Sequence, residues 1–407
     1  DLSGFDAALK QHYTNDRVED MVFSDNPFLA LVPKYESFGG RNLPIPIIYG
    51  NPTGRSKTFS TAKTTGGTSG SGSKITDFVL TRVKDYGIAT IDNETMWASE
   101  GDPNAFVEAA TTEIDGIINA VTRSLAINLY RTSSAAIGNV LAEPASASPF
   151  VVTLENIEDI SVAEVGEEHV IWSAASGGTQ RTSDGSDDEW TVAAVNRSAG
   201  TITYTGTYDG SGTIAAGDFI FKQGDRGLGI SGLEDWIPAT APGATSFFGV
   251  DRSVDVTRLG GQRLDATSLP IEEALIEGDA RVCREGKKLT HYFMSHRALQ
   301  DLKKSLGSKV QYVNLAANPR VSFPGVLVDG NKGPIKVVGD HNCPDNRIFG
   351  VNFDYMKFYS LGKAVRVLDS DGLMMLRQSD DDGVEVRYGF YGQLGCRAPG
   401  SNINIQI

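Results

Sequence analysis

The sequence predicts a mixed α+β chain of roughly two or three folded units, and three stretches of its 407 residues carry that prediction. One long amphipathic helical pattern runs over 102–131. A run of short strands with turn residues between them, and without helix signals, occupies 145–226. A helix–strand–helix pattern over 268–306 leads into a β-rich segment, 321–407. Composition agrees: 40% hydrophobic and 22% charged residues suit a folded chain. Many of the 45 glycines sit beside Ser, Asn, Asp or Pro, which marks frequent turns.

The first 45 residues read as an arm. "SGFD" at 3–6 has the Ser-x-x-acid form of a helix start, followed by Phe5, Leu9 and Tyr13 at helical spacing. "DNPFLALVPKY" at 25–35 is broken by prolines and is predicted to be extended. Residues 46–90 read as a long hairpin reaching away from its own domain. In "LPIPIIYG", Pro44 and Pro46 cannot donate to a ladder and belong on an edge. "KITDFVLTRVKDYGIATI" alternates in part, and "TTGGTSGSGS" at 64–73 between them has the composition of a flexible loop. Arg55, Lys57, Lys63 and Lys74 are basic, with no acidic residue between 55 and 76. An isolated hairpin is marginal in water, so a second subunit is expected to complete it, with these four residues as inter-subunit contacts.

In the long helix Asp102 is placed to cap and Pro103 to occupy the first helical position. Phe106, Ala110, Ile114, Ile117, Ile118, Val121, Leu125 and Leu129 then form its apolar face. At 1.5 Å per residue the helix is about 45 Å long. The strands "PFVVTL", "EEHVIWSA", "EWTVAAVN", "GTITYTG" and "GDFIF" predict a small antiparallel barrel or sandwich. "GDRGLGISGL" at 224–233 reads as the linker returning from it. A helix over about 268–286, the strand "THYFMS", and a helix capped by Ser295 with lysines at its end follow.

The net charge of −14 argues against a nucleic-acid-reading surface. Cys283, Cys343 and Cys396 are far apart and odd in number, so neither a disulfide framework nor a CxxC zinc pattern is drawn, and a reducing cytoplasm is the expected setting. No long apolar run predicts a membrane span and no signal-peptide pattern opens the sequence.

The sharpest chemical candidate is "GDHNCPDNRIFG", where Asp340, His341, Cys343 and Asp345 fall close together. A metal site needs two more ligands, yet His12 and His169 lie in other units and His291 and His296 flank a strand end. A Cys343 nucleophile needs a base, and His341 is only two residues away. Pro344 and the Asn/Asp residues are turn formers, so a strand–loop–strand connector is the preferred reading. A metalloenzyme using His341 and Cys343 is the remote alternative. "TSDGSDDEW", "DSDG" and "SDDDG" are acidic turns that do not match an EF-hand loop. The glycines Gly227, Gly229 and Gly232 have the GxGxxG spacing but stand before "EDWIP" and not before a convincing helix, and no phosphate loop, G-x-S-x-G elbow or HExxH occurs. The expectation is a non-enzyme with no catalytic residues, cofactor or metal.

The order of elements resembles the major capsid protein of tailed bacteriophages, the Hong Kong 97-like fold. The residues that carry the resemblance are the arm, the basic hairpin "LPIPIIYGNPTGRSKTFSTAKTTGGTSGSGSKITDFVLTRVKDYGIATI", the helix "GDPNAFVEAATTEIDGIINAVTRSLAINLYR", the segment "RVCREGKKLTHYFMSHRALQDLKKSL", and the close "GVNFDYMKFYSL…GVEVRYGFYGQLGCRAPGSNINIQI". The resemblance implies an N-terminal arm at 1–45, an extended loop at 46–90 and a peripheral domain with a spine helix at 91–132. An apical domain starts at 133–144, an inserted β-barrel or sandwich fills 145–226, peripheral and apical domains resume over 227–382, and closing strands end the chain at 383–407. It further implies self-assembly into hexamers and pentamers of an icosahedral head, which encloses double-stranded DNA without sequence-specific binding. Portal, scaffold or decoration proteins are possible partners; the setting is a virion built in the host bacterial cytoplasm. An encapsulin-type compartment shell is the alternative within the fold. Some members join subunits by a lysine–asparagine bond; Lys57, Lys63 and Lys74 lie in the loop, and the cross-link is assigned to none of them.

Overall fold

The computed structural model describes residues 26–68, 70–94, 103–182, 189–210, 213–306, 312–318, 321–369, 372–378 and 382–407, with backbone alone at 103–110, 112, 312–318 and 321–324. The proposed helix start at 3–6, the Asp102 cap, the side chains of Phe106 and Ala110, and the centres of the three acidic turns lie outside the described residues or side chains. The fold is mixed α+β, built around three hydrophobic clusters.

The segment expected to be extended near 25–35 instead begins with a short helix, Pro27–Leu31. Pro27 sits in its first turn, where the missing N–H costs nothing, and Phe28 and Leu29 are driven into the core. Pro33 then stops it, and Lys34–Tyr35 pairs in parallel with Met356–Ser360.

The body sheet centres on a long strand, Gly383–Cys396, which pairs antiparallel with Val83–Asp92 and with Met356–Ser360. The long helix Pro103–Asn128 lies across this sheet; at 26 residues it is about 39 Å long. Ile114, Ile118, Val121 and Leu125 are buried on one face, as the spacing predicts. Close approach needs Gly87: a Cβ there would meet Val121 Cγ2 at 2.6 Å and Ile117 Cγ2 at 2.9 Å. The helix C-terminus is finished by the returning linker. Gly232 N donates to Arg131 O (3.0 Å), Leu233 N to Leu129 O (2.8 Å) and Glu234 N to Tyr130 O (3.0 Å).

A second sheet has seven strands in the order Gln262–Asp265, Ile403–Gln406, Arg347–Val351, His291–Met294, Gly333–Gly339, Val321–Gly330, Tyr312–Asn318. Helices Ile271–Arg284 and His296–Leu306 share its hydrophobic cluster. Ser295 caps the second as expected, Ala298 N donating to Ser295 Oγ at 3.2 Å.

The remaining sheet is antiparallel: Ala136–Asn139, Phe219–Lys222, Glu168–Trp172, Trp190–Asn196, Thr201–Tyr204, Phe150–Thr153. Its end strands meet at a Val140–Leu154 bridge, with Leu141 N donating to Thr153 O and Glu155 N to Asn139 O, both at 2.8 Å. The sheet therefore closes into a barrel around Phe150, Trp190, Ile202, Tyr204, Tyr208 and Ile220. Its first strand precedes the expected start at 145, because "AIGN" is too short to stand out until paired with 219–222.

The hairpin differs from expectation in two ways. Its strands are Asn42–Gly50 and Lys74–Thr81, and the run after Arg82 leaves it for the body sheet. Arg82 anchors this corner, donating to Phe38 O and lying 5.0 Å over the Phe38 ring. The base of the hairpin also packs on its own chain: Ile45, Ile47, Phe78 and Leu80 are buried, and Phe78 meets Trp236 edge-on at 5.0 Å. Only the part beyond Gly50 and Lys74 projects. A helix, Phe59–Gly66, forms before the glycine-rich tip and takes in 64–66 of the stretch expected to be a flexible loop. The glycines act by size here, since a Cβ on Gly54 would meet Gly66 Cα at 2.8 Å.

Candidate assembly surface

The 340–345 stretch is a connector between Gly333–Gly339 and Arg347–Val351, which flank His291–Met294 on opposite sides. Asp340, 1% exposed, is a structural knot. Its Oδ2 accepts from Tyr130 Oη at 2.9 Å and Phe28 N at 3.2 Å; its Oδ1 accepts from Asn342 N at 2.9 Å and Asn342 Nδ2 at 3.2 Å. Asn342 Nδ2 also donates to Asn26 Oδ1 at 2.9 Å. These bonds tie the N-terminal segment, the end of the long helix and the connector together, and occupy the carboxylate that a metal would need.

Cys343 is buried, with Sγ 3.7–3.8 Å from the carbonyls of Phe293, Pro344 and Arg347. Burial, reinforced by the charges of Asp340, Glu234 and Asp345, pushes its thiol well above the ordinary range. That is the reverse of what a nucleophile requires. His341 turns outward, its Nδ1 3.9 Å from Asp340 Oδ1. His169 is buried in the barrel, and burial followed by the charge of Lys336 lowers His291 to about 4. Among the described residues, His, Cys, Asp and Glu form no group of three or more that would hold a metal.

The projecting loop is different. Arg55, Lys57 and Lys63 are exposed, and Lys74 is half-buried with Nζ donating to Gly70 O at 2.5 Å. They do not converge on one point: two precede the tip helix, one lies within it and one opens the return strand. The charge pattern drew attention to the basic residues and missed the apolar ones beside them. Phe59 is 84% exposed, Ile48 67% and Ile75 61%. Ile48 and Ile75 are direct cross-strand partners on the outward face. The signal was present in the alternation, since Pro44, Pro46 and Ile48 share the face opposite buried Ile45 and Ile47.

No family model matches the chain, and no curated protein matches its sequence. Among solved structures it is similar to the cyanophage A-1(L) capsid asymmetric unit, at 12% identity and a TM-score of 0.49 over 94% of this chain and 92% of that one. It is also similar to the capsid of an empty GTA particle (9% identity, TM-score 0.45, 94% and 89% covered). A third is the holo-SrpI encapsulin complex from Synechococcus elongatus PCC 7942 (7%, 0.41, 93% and 86%).

Proposed function

We propose that the chain is the structural subunit of a tailed-phage head, assembling into hexamers and pentamers around double-stranded DNA. The observation that carries this reading is the projecting loop. It sets Phe59 in solvent beside Arg55, Lys57 and Lys63, and the strands at its root add exposed Ile48 and Ile75, on a chain whose net charge is −14. Exposed apolar side chains on a hairpin whose base is packed on its own chain mark an interaction surface. Burying each against a neighbouring copy contributes about 1.5–3 kcal/mol. The basic residues are drawn to acidic surface, which the rest of the chain provides. Repetition of one such contact around a ring is what closed symmetry requires. The barrel is then a decoration of the apical region, and Gly383–Cys396 with Ile403–Gln406 are the closing strands.

Electron microscopy of the purified full chain tests this. Angular shells are expected from the wild type, and unassembled chain with an unchanged far-UV spectrum from Phe59→Ser combined with Ile48→Ser and Ile75→Ser. A wild type that stays monomeric at high concentration, or a triple variant that assembles normally, would overturn it.

A further inference from the structure

Among the described residues, the barrel and the body fall in separate hydrophobic clusters. The chain enters the barrel after the long helix and leaves it before Gly232, and the two connections lie side by side. Gly227 N donates to Ser134 O at 2.9 Å and Gly229 N to Ser133 O at 3.1 Å. Beyond this stem, ion pairs link the barrel to the helix and its end: Arg123–Glu164 at 2.6 Å and Arg131–Asp159 at 2.5 Å. Between barrel and body lies a cleft of about 580 Å³, walled by strand residues 85–88, the C-terminal half of the helix, and the barrel. A stem of two adjacent chain segments beside a hollow interface crossed by ion pairs is the geometry of a hinge.

The charges in the cleft are unevenly matched. Glu164 pairs with Arg123 and Arg197, Arg131 with Asp159, and Glu167 with Lys222 at 2.6 Å. Two carboxylates remain. Asp85, from the body strand, accepts from Ser124 Oγ at 2.7 Å on the helix. Asp225 stands on the barrel's exit turn, and both line the cleft with Tyr86. We propose that this cleft is a proton-gated hinge: with Asp85 or Asp225 protonated the barrel stays seated against the long helix, and with both ionised it swings on its stem.

Burial raises both carboxyls above their ordinary range; each also feels Lys222, which pulls the other way, and Asp225 feels the charge of Asp85. The sign follows. A carboxyl raised in the closed form stabilises that form while protonated, and the contribution is lost as pH rises through the raised value. The hinge therefore opens on going up in pH, above the ordinary carboxylate range.

The test is a spin-label distance measurement on the full chain, diluted with unlabelled protein. The labels replace Val151, exposed on the barrel, and Ile276, exposed on the helix Ile271–Arg284 of the second sheet, with Cys283→Ser removing the part-exposed native thiol. Wild type is expected to show one distance at about pH 4.5 and a second, longer population at about pH 7.5. Asp85→Asn and Asp225→Asn should each keep the single distance at both. Lys222→Met should move the second population to higher pH, because the cation that favours ionisation is gone. An unchanged wild-type distribution across the series, which needs no carboxylate variant, would overturn the proposal. So would carboxylate variants that titrate like the wild type.

Discussion

Replacing Asp340 by Asn isolates the knot that joins three distant segments. The substitution keeps shape and one acceptor, and converts Oδ2 into an amide donor facing Tyr130 Oη and Phe28 N. The tyrosine hydroxyl can rotate to accept, so that bond is weakened from a charge-assisted to a neutral one, about 1 kcal/mol. The Phe28 N–H is buried and has no such freedom; stranding it costs about 1–3 kcal/mol. The sum is about 3 kcal/mol, a large part of the roughly 5–15 kcal/mol by which folded chains exceed their unfolded states. Tyr130→Phe leaves Phe28 N bonded to the carboxylate and should cost about 1.5 kcal/mol. Because the two residues share one bond, the double variant should fall short of additivity by about 1 kcal/mol. Equilibrium urea unfolding of unassembled chain, followed by tryptophan fluorescence and far-UV dichroism, measures all three. An Asp340→Asn variant within about 0.5 kcal/mol of wild type, or strict additivity, would refute the assignment of Asp340 as a structural tie.

Three further outcomes are expected. Gly232→Ala places a Cβ 2.4–2.6 Å from the carbonyl oxygens of Asn128, Arg131 and Leu129, whereas Gly243→Ala meets nothing within 4 Å. The first should lose about 3 kcal/mol and the second almost nothing in thermal unfolding; equal effects would refute the helix-end packing. Burial would raise Glu167, but hydrogen bonds from His169, Lys222 and Glu164 N, with the Lys222 charge, hold it at about 2 against an ordinary 4.5. A depressed carboxyl contributes stability that is present above its unfolded value and lost as pH falls towards the folded one. Acid unfolding of the barrel between those values should therefore flatten in Glu167→Gln, and a curve identical to wild type counts against the Glu167 network. Burial pushes Cys396 up to about 12 and Cys343 well above normal; burial and Asp279 raise Cys283 too, but it alone of the three is part-exposed, so native iodoacetamide should label it first. Stoichiometric native labelling of Cys343 would reopen the thiol-enzyme reading.

The long helix and the short barrel strands could be read directly because their signals are local. Ile114, Ile118, Val121 and Leu125 repeat at helical spacing, and turn residues punctuate 145–226, whichever surfaces they later meet. The helix at Pro27–Leu31 was missed because two prolines bracket it, and only burial of Phe28 and Leu29 shows that the first starts a turn which the second ends. The hairpin boundary was misplaced for a related reason. "TRVKDYGIATI" alternates continuously, and nothing local says that one side of Arg82 pairs with Asn42–Gly50 and the other with Gly383–Cys396. Strand partners far apart in sequence are chosen by the packing of the whole sheet.

At the site, the sequence located a basic, acid-free loop and read the 340–345 cluster as a strand connector, with a metal site and a nucleophile as the remote alternatives. Residue type and spacing determine which side chains are available. Tertiary structure decided the rest, because exposure and desolvation are properties of surroundings. It buried Asp340 and Cys343 among partners 50 to 312 residues away, which makes them structural, and left Phe59, Ile48 and Ile75 in solvent.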